Sequence, residues 1–372
     1  MRAAHNQRRA RRGFTLLEMM VAVALSIIVT AALYAMFIAQ SRQFMTQDSQ
    51  SYMHQNLRFG IDILSRSARM AGYGTGGEVT GELGFDPAAL AVSNVETLPA
   101  VISYDSWSGG TDAITIVYAD PTLEMMTAPN QINSCGASGI NFPTNRPNYG
   151  TYLSSYGVGD YLLCWDYAPA TGTESYLWSV QSGGNSSTGG LGITPITGGV
   201  YTDYDTVCDP ADENLPPVMH CSRAHILTFY IDSTDDGVGP GSPQHPVLMM
   251  DLDFDFPSTG PSTDDVPLVD DIEDLQIAYC PRSLAAAVGG CETAAAWTDS
   301  LGTTSGPYDG TEVWMVRFSL VARAMREDER GTFLSSRPSL ENHSPTDPED
   351  GYYRQVLTTS VTARNLRMMH TP

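Results

Sequence analysis

Arg9-Ala10-Arg11-Arg12-Gly13-Phe14-Thr15-Leu16-Leu17-Glu18 opens the stretch that decides how the chain is built. A basic leader ends at Gly13, and an apolar run starts immediately at Phe14 and continues to Ala39. Those 26 residues hold no Pro and one charge, Glu18. A helix needs about 20 apolar residues to cross a bilayer, so the run is long enough. Five arginines (Arg2, Arg8, Arg9, Arg11 and Arg12) precede it and hold residues 1–13 on the cytoplasmic side. An ordinary secretory signal is cut after its apolar region at small residues. Here the basic leader ends at a Gly before the apolar region. A carboxylate in such a helix costs free energy and is usually functional, less so near an interface, where Glu18 lies.

The helix does not stop at Ala39. Residues 40–71 contain no Pro and one Gly, Gly60. Leu57, Ile61, Leu64, Ala68 and Ala71 recur at helical spacing, with Arg58, Asp62, Arg66 and Arg69 on other faces. Gly72-Tyr73-Gly74 supplies the stop, with Gly for a left-handed cap. The spacing predicts one helix over 14–71, roughly 87 Å long at about 1.5 Å per residue, without a Pro kink. Its half from 40 to 71 is amphipathic.

From about residue 78, Gly, Ser, Thr, Pro, Asn and Asp become frequent and apolar runs shorten. Strands are predicted at Asp112–Tyr118, Asp160–Trp165, Ser175–Val180, His225–Ile231, Val247–Asp253, Leu275–Tyr279, Val313–Ala322 and Val356–Ala363. A short helix is expected at Asp86–Leu90, and surface loops at 183–200 and 233–246. The fold class is α+β: one long N-terminal helix packed on a mainly antiparallel β domain over residues 72–372.

Charge narrows the function. The chain has 20 Arg, no Lys and 42 acidic residues. Without the leader's five Arg the net charge is 15 − 42 = −27. That argues against a nucleic-acid surface, which needs a basic stripe. The sequence has no Gly-x-Ser-x-Gly elbow, no His-Glu-x-x-His and no phosphate loop, so no enzyme is expected. The six cysteines are Cys135, Cys164, Cys208, Cys221, Cys280 and Cys291. An even number in an exported domain favours disulfides, and the sequential pairing Cys135–Cys164, Cys208–Cys221, Cys280–Cys291 is expected. The rival, a zinc site at Cys208, His220, Cys221 and His225, fits no standard spacing.

Gly13-Phe14-Thr15-Leu16-Leu17-Glu18 before an apolar helix resembles the class III signal of type IV prepilins and type II secretion pseudopilins. Residues 56–73 resemble the helix exit of PilW-type minor pilins, relatives of the J-type minor pseudopilins. Val269–Tyr279, Val313–Arg323 and Tyr353–Asn365 resemble that group's closing strands. The resemblance implies cleavage between Gly13 and Phe14 by a prepilin peptidase and methylation of the new amino terminus. In a filament, Glu18 would meet the positive amino terminus of a neighbouring subunit. The protein would sit in the inner membrane as a single-pass precursor with a cytoplasmic N-terminus. It would then join a cell-surface pilus, at its tip or in its initiation. Its partners would be other minor and major pilins and a tip adhesin. The alternatives are a type II secretion pseudopilin, or a surface adhesion module on a pilin anchor.

Some pseudopilins bind calcium in loops, and Asp232-Ser-Thr-Asp235-Asp236-Gly237 has oxygen ligands and a turn Gly. It lacks the EF-hand order, and a solvated hairpin between two strands is the favoured reading. No other cofactor is expected.

Overall fold

The computed structural model describes residues 15–75, 78–79, 98–126, 140–146, 148–165, 175–185, 190–195, 220–233, 245–252, 265–301, 313–327, 333–346 and 348–369. Helix α1 runs unbroken over Leu16–Met70, as expected for a segment without Pro. The chain divides into two compact units, Met1–Tyr52 and Met53–Pro372. In the first, the described part is α1 alone. In the second, α1 buries Met53, Leu57, Gly60, Leu64 and Ala68, the stripe expected of an amphipathic helix. Ile61 packs beside them, partly buried. The helix ends where the glycines allow it: Gly72 and Gly74 have φ of 78° and 79°.

The β elements follow in chain order. They are β1 (Glu78–Val79), β2 (Leu98–Pro99), β3 (Val101–Ser108), β4 (Thr111–Ala119), β5 (Met125–Met126) and β6 (Ile140–Asn141). Helix α2 (Tyr149–Ser154) leads to β7 (Tyr161–Trp165), β8 (Ser175–Asn185) and β9 (Gly190–Pro195). Next come β10 (His220–Asp232), β11 (Val247–Asp251), β12 (Val266–Asp270) and β13 (Ile272–Pro281). Helix α3 (Arg282–Val288) precedes β14 (Val313–Arg323), β15 (Arg354–Thr362) and the closing helix α4 (Arg364–Met369).

Strand β10 organises the large sheet. Along one edge it pairs first with β7 and then with β11; along the other it pairs with β5 and then β4. Strands β8, β9 and β6 continue beyond β7, and β12 beyond β11. The order β13-β14-β15 makes a separate three-stranded sheet. Every strand pair is antiparallel. All ten positions of β13 are buried, the pattern of a strand covered on both faces.

All eight predicted strands are present, several extended by one to six residues. The loop expected at 183–200 is corrected: β8 continues to Asn185 and β9 occupies Gly190–Pro195. Glycines disguised this hairpin, because they lower β propensity while serving a close approach. A Cβ at Gly192 would lie 2.1 Å from Ser182 Oγ. The short helix expected at Asp86–Leu90 lies outside the described residues. The same holds for most of loop 233–246.

The largest core cluster joins Leu57 and Leu64 of α1 to Phe229 of β10, Ile277 of β13 and Phe318 and Leu320 of β14. Gly60 lets the helix lie close to its neighbours, since a Cβ there would meet Leu320 Cδ1 at 2.9 Å and Leu248 Cδ2 at 3.4 Å. A larger residue must displace packed side chains. Gly60→Val is expected to destabilise the domain by about 1–3 kcal/mol despite removing a helix-interior Gly. Thermal unfolding of the full chain in detergent checks this; unchanged or raised stability would contradict the close packing.

Candidate assembly helix and its anchoring domain

The first described turn of α1 is locked by its own side chains. The Thr15 N–H donates to Glu18 Oε2 at 2.9 Å and the Thr15 hydroxyl donates to the same oxygen at 3.1 Å. In return the Glu18 N–H donates to Thr15 Oγ1 at 3.2 Å. This is a capping box, with Thr at the N-cap and Glu three residues on. The Thr-x-x-Glu signal of this box stands in Thr15-Leu16-Leu17-Glu18. Gly13 and Phe14 lie outside the described residues.

Beyond the cap the helix is apolar all round. Leu16, Met19, Val23, Ile27, Leu33 and Phe37 are each more than half exposed. The Ser26 and Thr30 hydroxyls, costly in lipid if left free, are satisfied within the helix: Ser26 donates to the Ala22 carbonyl and Thr30 to the Ser26 carbonyl, both at 2.8 Å. This is the single described helix long and apolar enough to cross a membrane. A helix with no polar face needs lipid or other helices around it.

The anchoring domain closes over the far end of α1. The Asn365 side-chain amide of α4 donates to the Met70 carbonyl at 3.2 Å and lies within 3.5 Å of the Arg69 and Ala71 carbonyls. These are carbonyls that a helix C-terminus leaves without an intrahelical partner. Leu366 packs beside Gly72, where a Cβ would lie 2.3 Å from Leu366 Cδ2.

Polar side chains tie the large sheet to the three-stranded one. Asp112 of β4 accepts the Ile277 N–H of β13 at 2.8 Å and the Ser106 N–H at 3.0 Å. Ser106 has φ of 54° within the register shift of β3, so Asp112 holds a bulge as well as a neighbouring strand. Gln276 of β13 donates to the Gly110 carbonyl at 2.8 Å. Buried Asp274 faces His343 Nδ1 at 2.9 Å. Burial pushes Asp112 up to about 7, outweighing the lowering by its two N–H donors. Burial also raises Asp274, against lowering by Gln276 and His343.

The cysteine pairing expected from the sequence is corrected in part. Cys164 is bonded to Cys221, its direct cross-strand partner between β7 and β10, with Cα atoms 4.0 Å apart. Strand pairing brings together residues 57 apart in sequence, a proximity that spacing could not reveal. Cys164–Cys221 rules out both Cys135–Cys164 and Cys208–Cys221. It also removes Cys221 from the rival zinc set. Cys280–Cys291 forms as expected and braces α3. Cys135 and Cys208 lie outside the described residues.

Asp232 ends β10 opposite Val247 of β11, so residues 233–246 join an antiparallel pair, the hairpin favoured by the sequence. Asp232 is buried, not solvated. Asp235 and Asp236 lie outside the described residues. Among the described residues no group of three His, Cys, Asp or Glu is placed to hold a metal.

Residues 228–365 match the family described as type IV pilus-assembly protein W. That match covers little more than a third of the chain. It begins inside β10, contains the whole three-stranded sheet and ends at Asn365, the residue on the end of α1. Residues 8–34 match the prokaryotic N-terminal methylation motif, spanning the leader and the first turns of α1. Together the two matches bear out the PilW-type resemblance. These are structural pilin families, not enzymes. No curated protein matches the chain. A solved type IV-like pilin from Thermus thermophilus is similar at 11% identity and a TM-score of 0.32, over 86% of this chain and 96% of that one.

Two outcomes follow for the β domain. A folded-state pKa raised to about 7 means that the Asp112 contribution is fully present below the ordinary carboxylate range and is lost as pH rises through about 7. The stability difference between wild type and Asp112→Asn should therefore fall from pH 4 to pH 7.5 in thermal unfolding; a difference that grows with pH would contradict the assignment. Non-reducing peptide mapping should recover Cys164–Cys221 and Cys280–Cys291 bridges, and a Cys135–Cys164 bridge would contradict the fold.

Proposed function

We propose that this chain is a minor type IV pilin that takes part in initiating pilus assembly and occupies the filament tip. The observation that carries the reading is α1 itself. One unbroken helix, Leu16–Met70, has a first half with no polar face and a second half packed into a β domain. The first half can leave lipid for a bundle of similar helices without reorganising the domain, because both surroundings are apolar.

The steps follow from the residues. The leader arginines keep residues 1–13 in the cytoplasm. A prepilin peptidase cuts between Gly13 and Phe14, and Phe14 becomes the methylated amino terminus. The precursor spans the inner membrane with the β domain in the periplasm. Thr15 and Glu18 both survive that cut, so the capping box belongs to the mature chain. Glu18 neutralises the amino terminus on Phe14 of a neighbouring subunit, offsetting the cost of two charges in apolar surroundings. A globular part of about 300 residues is bulky for a subunit repeated along a filament, which favours a tip position. The partners are other minor pilins, the major pilin and a tip adhesin.

Glu18→Leu tests the neutralisation step. Processing after Gly13 should continue, while the amount recovered in sheared filaments should fall about tenfold or more, since removing one partner leaves a buried charge unpaired. Unchanged filament recovery would overturn the role given to Glu18. A chain with wild-type Glu18 that is processed but never found in filaments would move the reading to a secretion-system pseudopilin.

A further inference from the structure

Charge is sorted along this chain. Residues 53–70 and 364–369, the second half of α1 and the helix that caps it, hold five Arg and one Asp. Residues 71–363 hold nine Arg and 39 acidic residues. The basic excess is displayed on one side of α1. Arg58, Asp62, Arg66 and Arg69 follow one another at spacings of four, four and three, all exposed, opposite the buried Met53, Leu57, Leu64 and Ala68.

Arg66 pairs with Asp62 at 3.0 Å, which cancels one charge of each sign. Arg58, Arg69 and Arg364 are exposed, and none forms an ion pair among the described residues. By contrast, Arg223, Arg317, Arg323, Arg337 and Arg354 in the β domain each face a carboxylate. Arg364 precedes Asn365, whose side-chain amide reaches the Arg69 carbonyl at 3.4 Å, so α4 brings its first residue to the end of α1 that carries Arg69. Beside Arg58 stands Phe59, 53% exposed. Arg69 favours the C-terminal end of the α1 dipole, but Arg58 lies three turns earlier and gains nothing from it.

We infer that this stripe, Arg58–Phe59–Arg69–Arg364, is a docking surface for an acidic face on the globular domain of a neighbouring pilin. Charge complementarity selects the partner and sets its register, and Phe59 supplies an apolar contact beside Arg58. The inference rests on the reading of the chain as a filament subunit.

The test places the photo-crosslinking residue p-benzoylphenylalanine at Phe59 of the full chain in living cells. The expected product is an adduct to an acidic peptide of another protein that carries a prepilin motif. R58E/R69E/R364E should reduce that adduct about tenfold by turning attraction into repulsion. Arg326→Glu, an exposed site outside the stripe, should leave it unchanged. Adducts only to lipid, adducts insensitive to the triple reversal, or no adduct from chains that are processed and present in filaments would each overturn the docking surface while sparing the pilin reading. Failure of processing in the wild type would count against the pilin reading itself. Since all three arginines are exposed, the triple variant should fold, which its wild-type disulfide map in the same sample verifies.

Discussion

The constraint on which the rest depends is that α1 needs two solvents. Up to Ala39 it offers no polar face, so water cannot surround it at low cost. From Met53 it offers a narrow apolar stripe and an exposed charged face, so it must pack on one side only. A Pro between these regions would break the helix. The sequence has none, and the backbone hydrogen bonds run through without interruption. The helix start is fixed by Thr15 and Glu18, and its end by two left-handed glycines and the Asn365 amide.

The β domain can be understood as what holds the second of these regions. Its largest core gathers residues from α1, β10, β13 and β14, and Gly60 permits a close approach. The sheets on either side of that core are joined by buried polar groups in place of a continuous ladder. Asp112 takes a backbone N–H of β13, and Gln276 returns a bond to the Gly110 carbonyl. Such contacts specify one relative placement of the sheets, because a shift of one residue would leave a buried donor or carboxylate without its partner. The PilW match begins within β10 and includes β13, Gln276 and Asn365, but not Asp112.

Much of this was legible in the amino-acid order. The apolar run, the absence of Pro and the Leu57-Leu64-Ala68 spacing expose the helix, because helical periodicity is a local property. The predicted strands alternate or are rich in β-branched residues, which is also local. Strand β12 was missed because Pro267 argues against a strand, and it is tolerated there on an edge. Hairpin β8–β9 was hidden by its glycines. The Cys164–Cys221 bridge depends on β7 lying beside β10, a non-local pairing that no spacing rule encodes. The capping box is local too, since Thr15 and Glu18 stand within four consecutive residues.

The central claim is that the apolar half of α1 stays with the mature protein and becomes a filament helix. The amino-terminal mass of the chain, taken from sheared surface filaments and from cell membranes, tests it most directly. The account predicts a chain that begins at N-methylated Phe14 in both fractions, scarce in the filaments relative to the major subunit. A chain cut after Ala39, or one that still begins at Met1 in the filaments, would contradict it.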